Sequence, residues 1–399
     1  MEKVKLRDVL LRLESGGRPK GGATDFGIFS VGAEHLAKDG GFDFSRPKYI
    51  PISFYNRLKN GLIEIDDILI VKDGATTGKI SYVNDDFPLP KAAINEHVFK
   101  LKVDKCKIFS KYAFYFLYSS NGNRQILSDF RGATVGGISK EILDKVEIPL
   151  PPLAEQKAIV AKLDKADEIK RLNQKLIEKY DALTQSLFID MFGDPVQNER
   201  EWCKEKLEYF AKREKNSIVD GPFGSSIKET DYIDVGIPII RINNIRNDKF
   251  YDKEYKFLSE KKYLELIRSK IDFEDIIMAR VGNTIGKSCI FDKKFKALLS
   301  TTGVCKISVD QDKFNLIFIA KQLSFKTYKN YIISNVQGAG QPYLNLSKIK
   351  NFQLINPPIE LQNQFAERVK AIEAQKKLAQ DALTKSETLF NSLLQASFG

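Results

Sequence analysis

The sequence predicts an α+β protein: two similar mixed α/β domains separated by two long helices that form an antiparallel coiled coil. Three observations lead there. The chain repeats itself, its composition changes abruptly after each of two Pro-Pro pairs, and the segments between carry short apolar runs broken by turn residues.

The repeat is read first. DILIVKDGATTGKI at 67–80 matches DIIMARVGNTIGKS at 275–288. In that match Asp67, Ile68, Gly74, Thr76, Gly78 and Lys79 meet Asp275, Ile276, Gly282, Thr284, Gly286 and Lys287, and Lys72 meets Arg280. A second block, 131–156, aligns with 337–362 without a gap and brings Pro151, Pro152 and Gln156 onto Pro357, Pro358 and Gln362. The order predicts a first domain at 1–150, a central long helix at 151–195, a second domain at 196–356 and a C-terminal long helix at 357–399. Within the domains, 65–71, 80–83, 98–103, 239–242, 276–281 and 304–309 read as strands. Segments 109–119 and 316–324 read as short helices.

After each Pro-Pro the chain becomes helical in pattern. Residues 153–192 contain neither proline nor glycine. Leu163, Ile169, Leu172, Leu176, Leu183 and Leu187 recur as one apolar stripe. Gly193 and Pro195 end it. The second copy carries the corresponding stripe in Phe365, Val369, Ile372, Leu378, Ala382, Leu389 and Leu393, with Ile372 at the position of Ala166. A helix of about 35 residues is about 50 Å long, too long to bury against one compact domain, so the expected partner of each stripe is the other helix. The alternative is that each helix packs on its own domain.

Composition narrows the function. The chain has 399 residues, 43% hydrophobic and 29% charged. No apolar run approaches the ~20 residues of a membrane span, and MEKVKLRDVLLRLESGG is no signal segment, so a cytoplasmic protein is expected. Lys plus Arg outnumber Asp plus Glu by 63 to 52, giving +11, which suits a polyanion such as double-stranded DNA. Four separated cysteines and two histidines make a metal centre improbable.

VGNTIGKS at 281–288 resembles a nucleotide phosphate loop but is one residue short of G-x-x-x-x-G-K-[ST]. A phosphate loop must also open an amphipathic helix, and CIFDKKFKALLS does not commit to one. Its repetition at 74–79 points to a tight hairpin turn. Thr76, Thr77, Lys79, Asn283, Thr284 and Lys287 on these turns can meet DNA phosphates, or the turns are structural only. NPPI at 356–359 has Ile359 where an adenine methyltransferase loop has an aromatic ring.

Better candidates for DNA contact lie on polar loops. GGRPKGGATD offers Arg18 and Lys20; GPFGSSIKETD offers Ser225, Ser226 and Lys228. RINNIRN offers Arg241, Asn243, Asn244 and Arg246, side chains suited to guanine and adenine edges. Lys72 and Arg280 flank the paired turns, and the aligned segments at 131–137 and 337–343 add Arg131, Gln341 and Tyr343. Each could equally be a solvated turn residue. His97 reads as a core or surface histidine.

PLPPLAEQ and NPPIELQNQ leading into long helices, LTQSLFIDMFGDP closing the first, GPFGSSIKETDY before GIPIIRINNIRN, and EIDDILIVKDGATTGKI with AAINEHVFKL occur in a characteristic order, partly twice. In these places the chain resembles the specificity subunit of type I restriction-modification systems over nearly its whole length. The resemblance implies two target-recognition domains, each reading half of a bipartite DNA target, and helices that act as spacer and dock for two modification (methyltransferase) subunits. It implies no catalytic residue, metal or cofactor in this chain. S-adenosylmethionine, ATP and Mg belong on the modification and motor-nuclease restriction subunits. The competing readings are a stand-alone DNA methyltransferase or nuclease with fused recognition domains, and a coiled-coil adaptor without a DNA role.

The short-spaced glycine–lysine turn and the missing aromatic after Pro358 generate the first prediction. The purified chain should neither hydrolyse ATP nor transfer methyl groups. Turnover by the isolated chain that disappears in Lys287→Ala or Asn356→Ala would refute it.

Overall fold

The computed structural model describes residues 2–132, 136–246, 248–336 and 342–399. It divides into two compact units, Met1–Lys175 with Gln380–Gly399, and Leu176–Ala379. Each unit therefore holds one globular domain and part of both long helices, which run Leu153–Phe192 and Ile359–Phe398.

In the first unit, strands Leu10–Ser15, Val98–Val103, Ile68–Val71 and Ile80–Tyr82 form an antiparallel sheet in that order. A second sheet orders Tyr49–Ile50, Ile28–Val31 and Ala92–Ile94, the last two parallel. The run Ile68–Val71 is apolar throughout because both its faces are covered. Ile68 and Ile70 join the core that includes helix Ser110–Tyr118; Leu69 and Val71 join the core of the second sheet.

The second unit repeats this plan. Ile218–Asp220, Val304–Ile307, Ile276–Ala279 and Ser288–Ile290 form the equivalent four-stranded sheet. Ile276 and Met278 face one core and Ile277 and Ala279 the other. Its second sheet keeps the parallel pair, Ile237–Ile240 with Ala297–Leu299, and grows to five strands. The expected strands and the helices Ser110–Tyr118 and Leu316–Ser324 are present, with strand ends trimmed by up to three residues.

Each domain closes where its helix begins. Lys3–Lys5 pairs antiparallel with Glu147–Pro149, and Lys204–Lys206 with Gln353–Ile355. One turn into each helix a buried glutamine locks the joint. The Gln156 Oε1 accepts from the Phe109 amide at 2.8 Å while its Nε2 donates to the Pro151 carbonyl at 2.8 Å. Gln362 does the same with the Asn315 amide at 3.0 Å and the Pro357 carbonyl at 2.8 Å.

Within each unit the two helix segments run antiparallel. In the first, Asn173 meets Ser386 and the Lys170 ammonium lies over the Phe390 ring. In the second, Lys376 pairs with Asp181, and Phe188 packs on Phe365 at 5.5 Å. The buried face differs from the expected stripe. Leu163 and Val369 are buried, and Leu187, Ile372 and Leu393 partly so. Ile169, Leu172, Leu176, Leu183, Leu378 and Leu389 are instead 39–61% exposed, so they correct the expected seam. Beside Phe365, which the stripe included, the inward face is taken by Phe188, Phe192, Phe390 and Phe398, and these rings pack on domain aromatics such as Phe318 and Tyr112. A phenylalanine carries about 150–250 Å² into contact. Five such rings decide the rotation of helices whose leucines sit partway round.

Removing the glutamine joint strands a half-buried amide and a buried carbonyl, at about 1–3 kcal/mol for each unmet group. Gln156→Ala should therefore cost about 2–4 kcal/mol in urea unfolding. Unaltered stability would mean that the joint is not held by this side chain.

Candidate nucleic-acid interface

In each unit three polar segments are drawn together by the same backbone bonds. In the first, the Lys72 amide donates to the His97 carbonyl at 2.9 Å, Ile138 to Lys72 at 2.7 Å and Gly74 to Gly136 at 3.2 Å. In the second, Arg280 donates to Gly303 at 2.8 Å, Leu344 to Arg280 at 2.8 Å and Gly282 to Pro342 at 3.1 Å. The loop after the first sheet strand joins the same edge in both. A Cβ on Gly16 would meet the Ile94 carbonyl oxygen at 2.1 Å, and one on Gly221 the Thr301 carbonyl oxygen at 2.2 Å. Only glycine permits that approach.

The side chains on this shared frame differ. In the first unit a charged row spans the segments. Arg18 lies 3.3 Å from Glu96, Glu96 lies 3.5 Å from His97 Nε2, His97 Nδ1 bonds Asp73, and Lys72 is 3.9 Å from Asp73. All five side chains reach solvent. Lys20 is exposed nearby in sequence. Arg131 pairs with Glu141 and, at 3.2 Å, with Asp129.

Asp129 is buried and organises the Arg131 segment, a role the sequence reading missed. Its carboxylate accepts from the Ser139 amide at 2.6 Å, the Ser139 hydroxyl at 2.8 Å and Lys145 at 2.6 Å. A periodicity scan passes over it because its partners lie ten and sixteen residues ahead.

In the second unit Arg280, 1% exposed, is the hub. Its guanidinium donates to Asp220 at 2.7 Å, the Thr302 carbonyl at 2.9 Å, the Leu344 carbonyl at 2.9 Å and the Tyr343 hydroxyl at 2.6 Å. It thus holds the loops in place and is withdrawn from any partner. Asn244 is likewise buried, capping its turn through the Arg241 amide and the Tyr251 and Lys253 carbonyls. Arg241 donates to the Glu254 carbonyl, and Arg246 stacks on Tyr251 at 3.5 Å. Ser225, Lys228, Asn243, Asn283 and Tyr343 are exposed, Ser226 half-buried, and Phe223 is 70% exposed on the glycine loop. Gln341 lies outside the described residues.

The glycine–lysine turns are hairpin connections. Gly74, Gly78, Gly282 and Gly286 all have positive φ. The Gly78 amide donates back to Val71 at 2.9 Å and Gly286 to Ala279 at 3.0 Å, so these amides are spent on the strands and do not cradle an anion. Thr77 and Thr284 donate to the Gly74 and Val281 carbonyls, and Thr76 is exposed. Lys79 donates to the Leu36 carbonyl at 2.8 Å. Lys287, exposed, lines a cavity of about 1060 Å³ with Lys249, Lys321 and Glu373. Among the described residues no group of three or more His, Cys, Asp or Glu is arranged to hold a metal ion, and no helix is long and apolar enough to cross a membrane.

The Asp129 geometry yields a pH prediction. Burial alone would raise its pKa, but Lys145 and the Ser139 amide and hydroxyl outweigh burial and hold it at about 2. A depressed carboxyl stabilises the fold above its ordinary pKa of about 4, and that contribution is lost as pH falls toward 2. Asp129→Asn should lower stability at pH 7 by about 2 kcal/mol and flatten the pH dependence between about 4 and 2. Parallel stability curves for the two proteins would contradict this.

Known proteins place this architecture. The family model described as the type I restriction modification DNA specificity domain matches twice, at residues 28–180 and 222–385. The MjaVIII specificity subunit of Methanocaldococcus jannaschii is 25% identical over 327 residues, covering 79% of this chain and 74% of that relative. The EcoKI specificity subunit of Escherichia coli K12 is 21% identical over 405 residues, covering 90% and 84%. The crystal structure of an S subunit from M. genitalium superposes with a TM-score of 0.57 at 15% identity, over 98% of this chain and 94% of that one. A second structure, from work on assembly and conformational transition of the type I R-M system, gives 0.58 at 16% identity, over 100% and 97%. With two matched domains that coincide with its duplicated loop frame, the chain belongs to the type I restriction-modification DNA specificity family.

Proposed function

We propose that this chain is the DNA-specificity subunit of a type I restriction-modification complex, with each domain reading one half of a bipartite duplex target. The observation that carries this reading is the duplicated loop frame with unlike side chains. Identical backbone bonds set two equivalent edges, one bearing Arg18, Lys72, Glu96 and His97 and the other Phe223, Asn283 and Tyr343. Two domains that read the same sequence would have no need to differ there.

On this reading the chain supplies specificity and no catalytic group. The long helices act as spacer and dock. The exposed apolar side chains of the helices, Ile169, Leu172 and Leu389 in the first unit and Leu176, Leu183 and Leu378 in the second, support docking of two methyltransferase subunits. S-adenosylmethionine would act on those subunits, and ATP with Mg on motor-nuclease subunits, in the cytoplasm. The net charge of +11 supports the duplex partner.

Replacing residues 1–150 with the corresponding domain of another family member tests the reading. Methylation mapping of the assembled complex should show one half-site changed and the other retained. A change in both halves would refute independent reading by the two domains.

A further inference from the structure

The charged row of the first unit has an unusual composition for a surface that meets DNA. It contains two carboxylates, Glu96 and Asp73, both partly exposed. A carboxylate facing duplex DNA is repelled by the phosphates. It becomes favourable where it accepts a hydrogen bond from a base amino group, and in the major groove that group is cytosine N4 or adenine N6. Arg18, 3.3 Å from Glu96, places a guanidinium fork beside that acceptor. A fork is matched by the paired O6 and N7 acceptors of guanine. An acceptor next to a fork is thus the complement of a C·G pair, whose cytosine amino group adjoins the guanine O6.

The row is also preorganised. His97 is fixed at its backbone, where its amide donates to Asn95 Oδ1 at 2.9 Å, and at its ring by Asp73. Its Nε2 edge faces Glu96. Holding these groups before DNA arrives lowers the ordering cost of binding. Among the described residues the second unit has no such row. At the matching frame positions stand Arg280, Val281, Thr302 and Gly303 in place of Lys72, Asp73, Glu96 and His97, and the arginine is buried.

We propose that Glu96 and Arg18, held by His97 and Asp73, read a C·G base pair in the half-site of the first domain, Glu96 accepting from cytosine N4 and Arg18 donating to guanine. This rests on the reading of the chain as a DNA-specificity subunit. The test uses the full-length chain and a duplex library with randomised positions, with the bound fraction sequenced. Wild type should enrich a bipartite motif with a C·G pair in one half. Glu96→Gln should reduce the preference at that pair roughly tenfold and leave the other half intact. Arg18→Ala, on an exposed side chain that does not hold the fold, should lose preference at the same pair. An unchanged motif with both variants, or an A·T pair at the affected position, would overturn the inference while leaving the specificity reading in place. A wild-type chain that enriches no motif would overturn the specificity reading itself.

Discussion

A buried glutamine near the start of each long helix is the constraint on which the rest depends. Its amide cannot be left unpaired away from water without a cost of about 1–3 kcal/mol, so it dictates where the helix sits against the domain. Gln156 and Gln362 meet the same two kinds of partner, the amide just ahead of helix Ser110–Tyr118 or Leu316–Ser324 and the carbonyl of the first proline. The preceding residues are already held, because each domain's first strand pairs with the strand that runs into the prolines. The helix therefore leaves the domain at a fixed point, and its next turns bury Val160, Leu163 and Ala166 of the first helix, or Phe365 and Val369 of the second, against that domain's core.

Inside each domain a second duplicated device sets the sheet. Lys100 is buried 3.1 Å from Glu14 and 3.6 Å from Asp67; Lys306 is buried 3.0 Å from Asp275. Asp67 and Asp275 also cap matching turns through the Glu64 and Asp272 amides, each at 2.8 Å. Removing one partner of a buried ion pair costs about 3–5 kcal/mol. Burial raises the Asp67 pKa despite Lys100 and the neighbouring Lys102, a sign of how far desolvation weighs on the pair. Its retention in both copies fits a role in fixing strand register, since Lys100 stands opposite Leu69 and Lys306 opposite Ile277.

With helix exit and strand register held by the same interactions twice, the loops at the sheet edge are free to differ. The first unit fills that edge with ion pairs open to solvent; the second anchors it from beneath through Arg280 and leaves aromatic and amide groups outside. One backbone frame thus supports two chemically unlike surfaces.

The repeat, the element order, the long helices and the family were legible in the sequence, because each rests on local pattern: apolar runs, Pro-Pro junctions and a proline-free, glycine-free stretch. Gln156 and Gln362 were visible as matched positions, though not as joints. Tertiary structure decided what required a partner distant in sequence. Arg280 and Asn244, both candidates for DNA contact, are consumed by carbonyls and carboxylates up to 64 residues away. His97, left as an ordinary histidine, is drawn into a row because Asp73 lies on a neighbouring strand end. The leucine stripe was the natural seam from spacing alone, but aromatic rings on an adjacent face found larger partners in the domains. A helix can bury only one face at a time, and which one is chosen depends on what the rest of the fold brings against it.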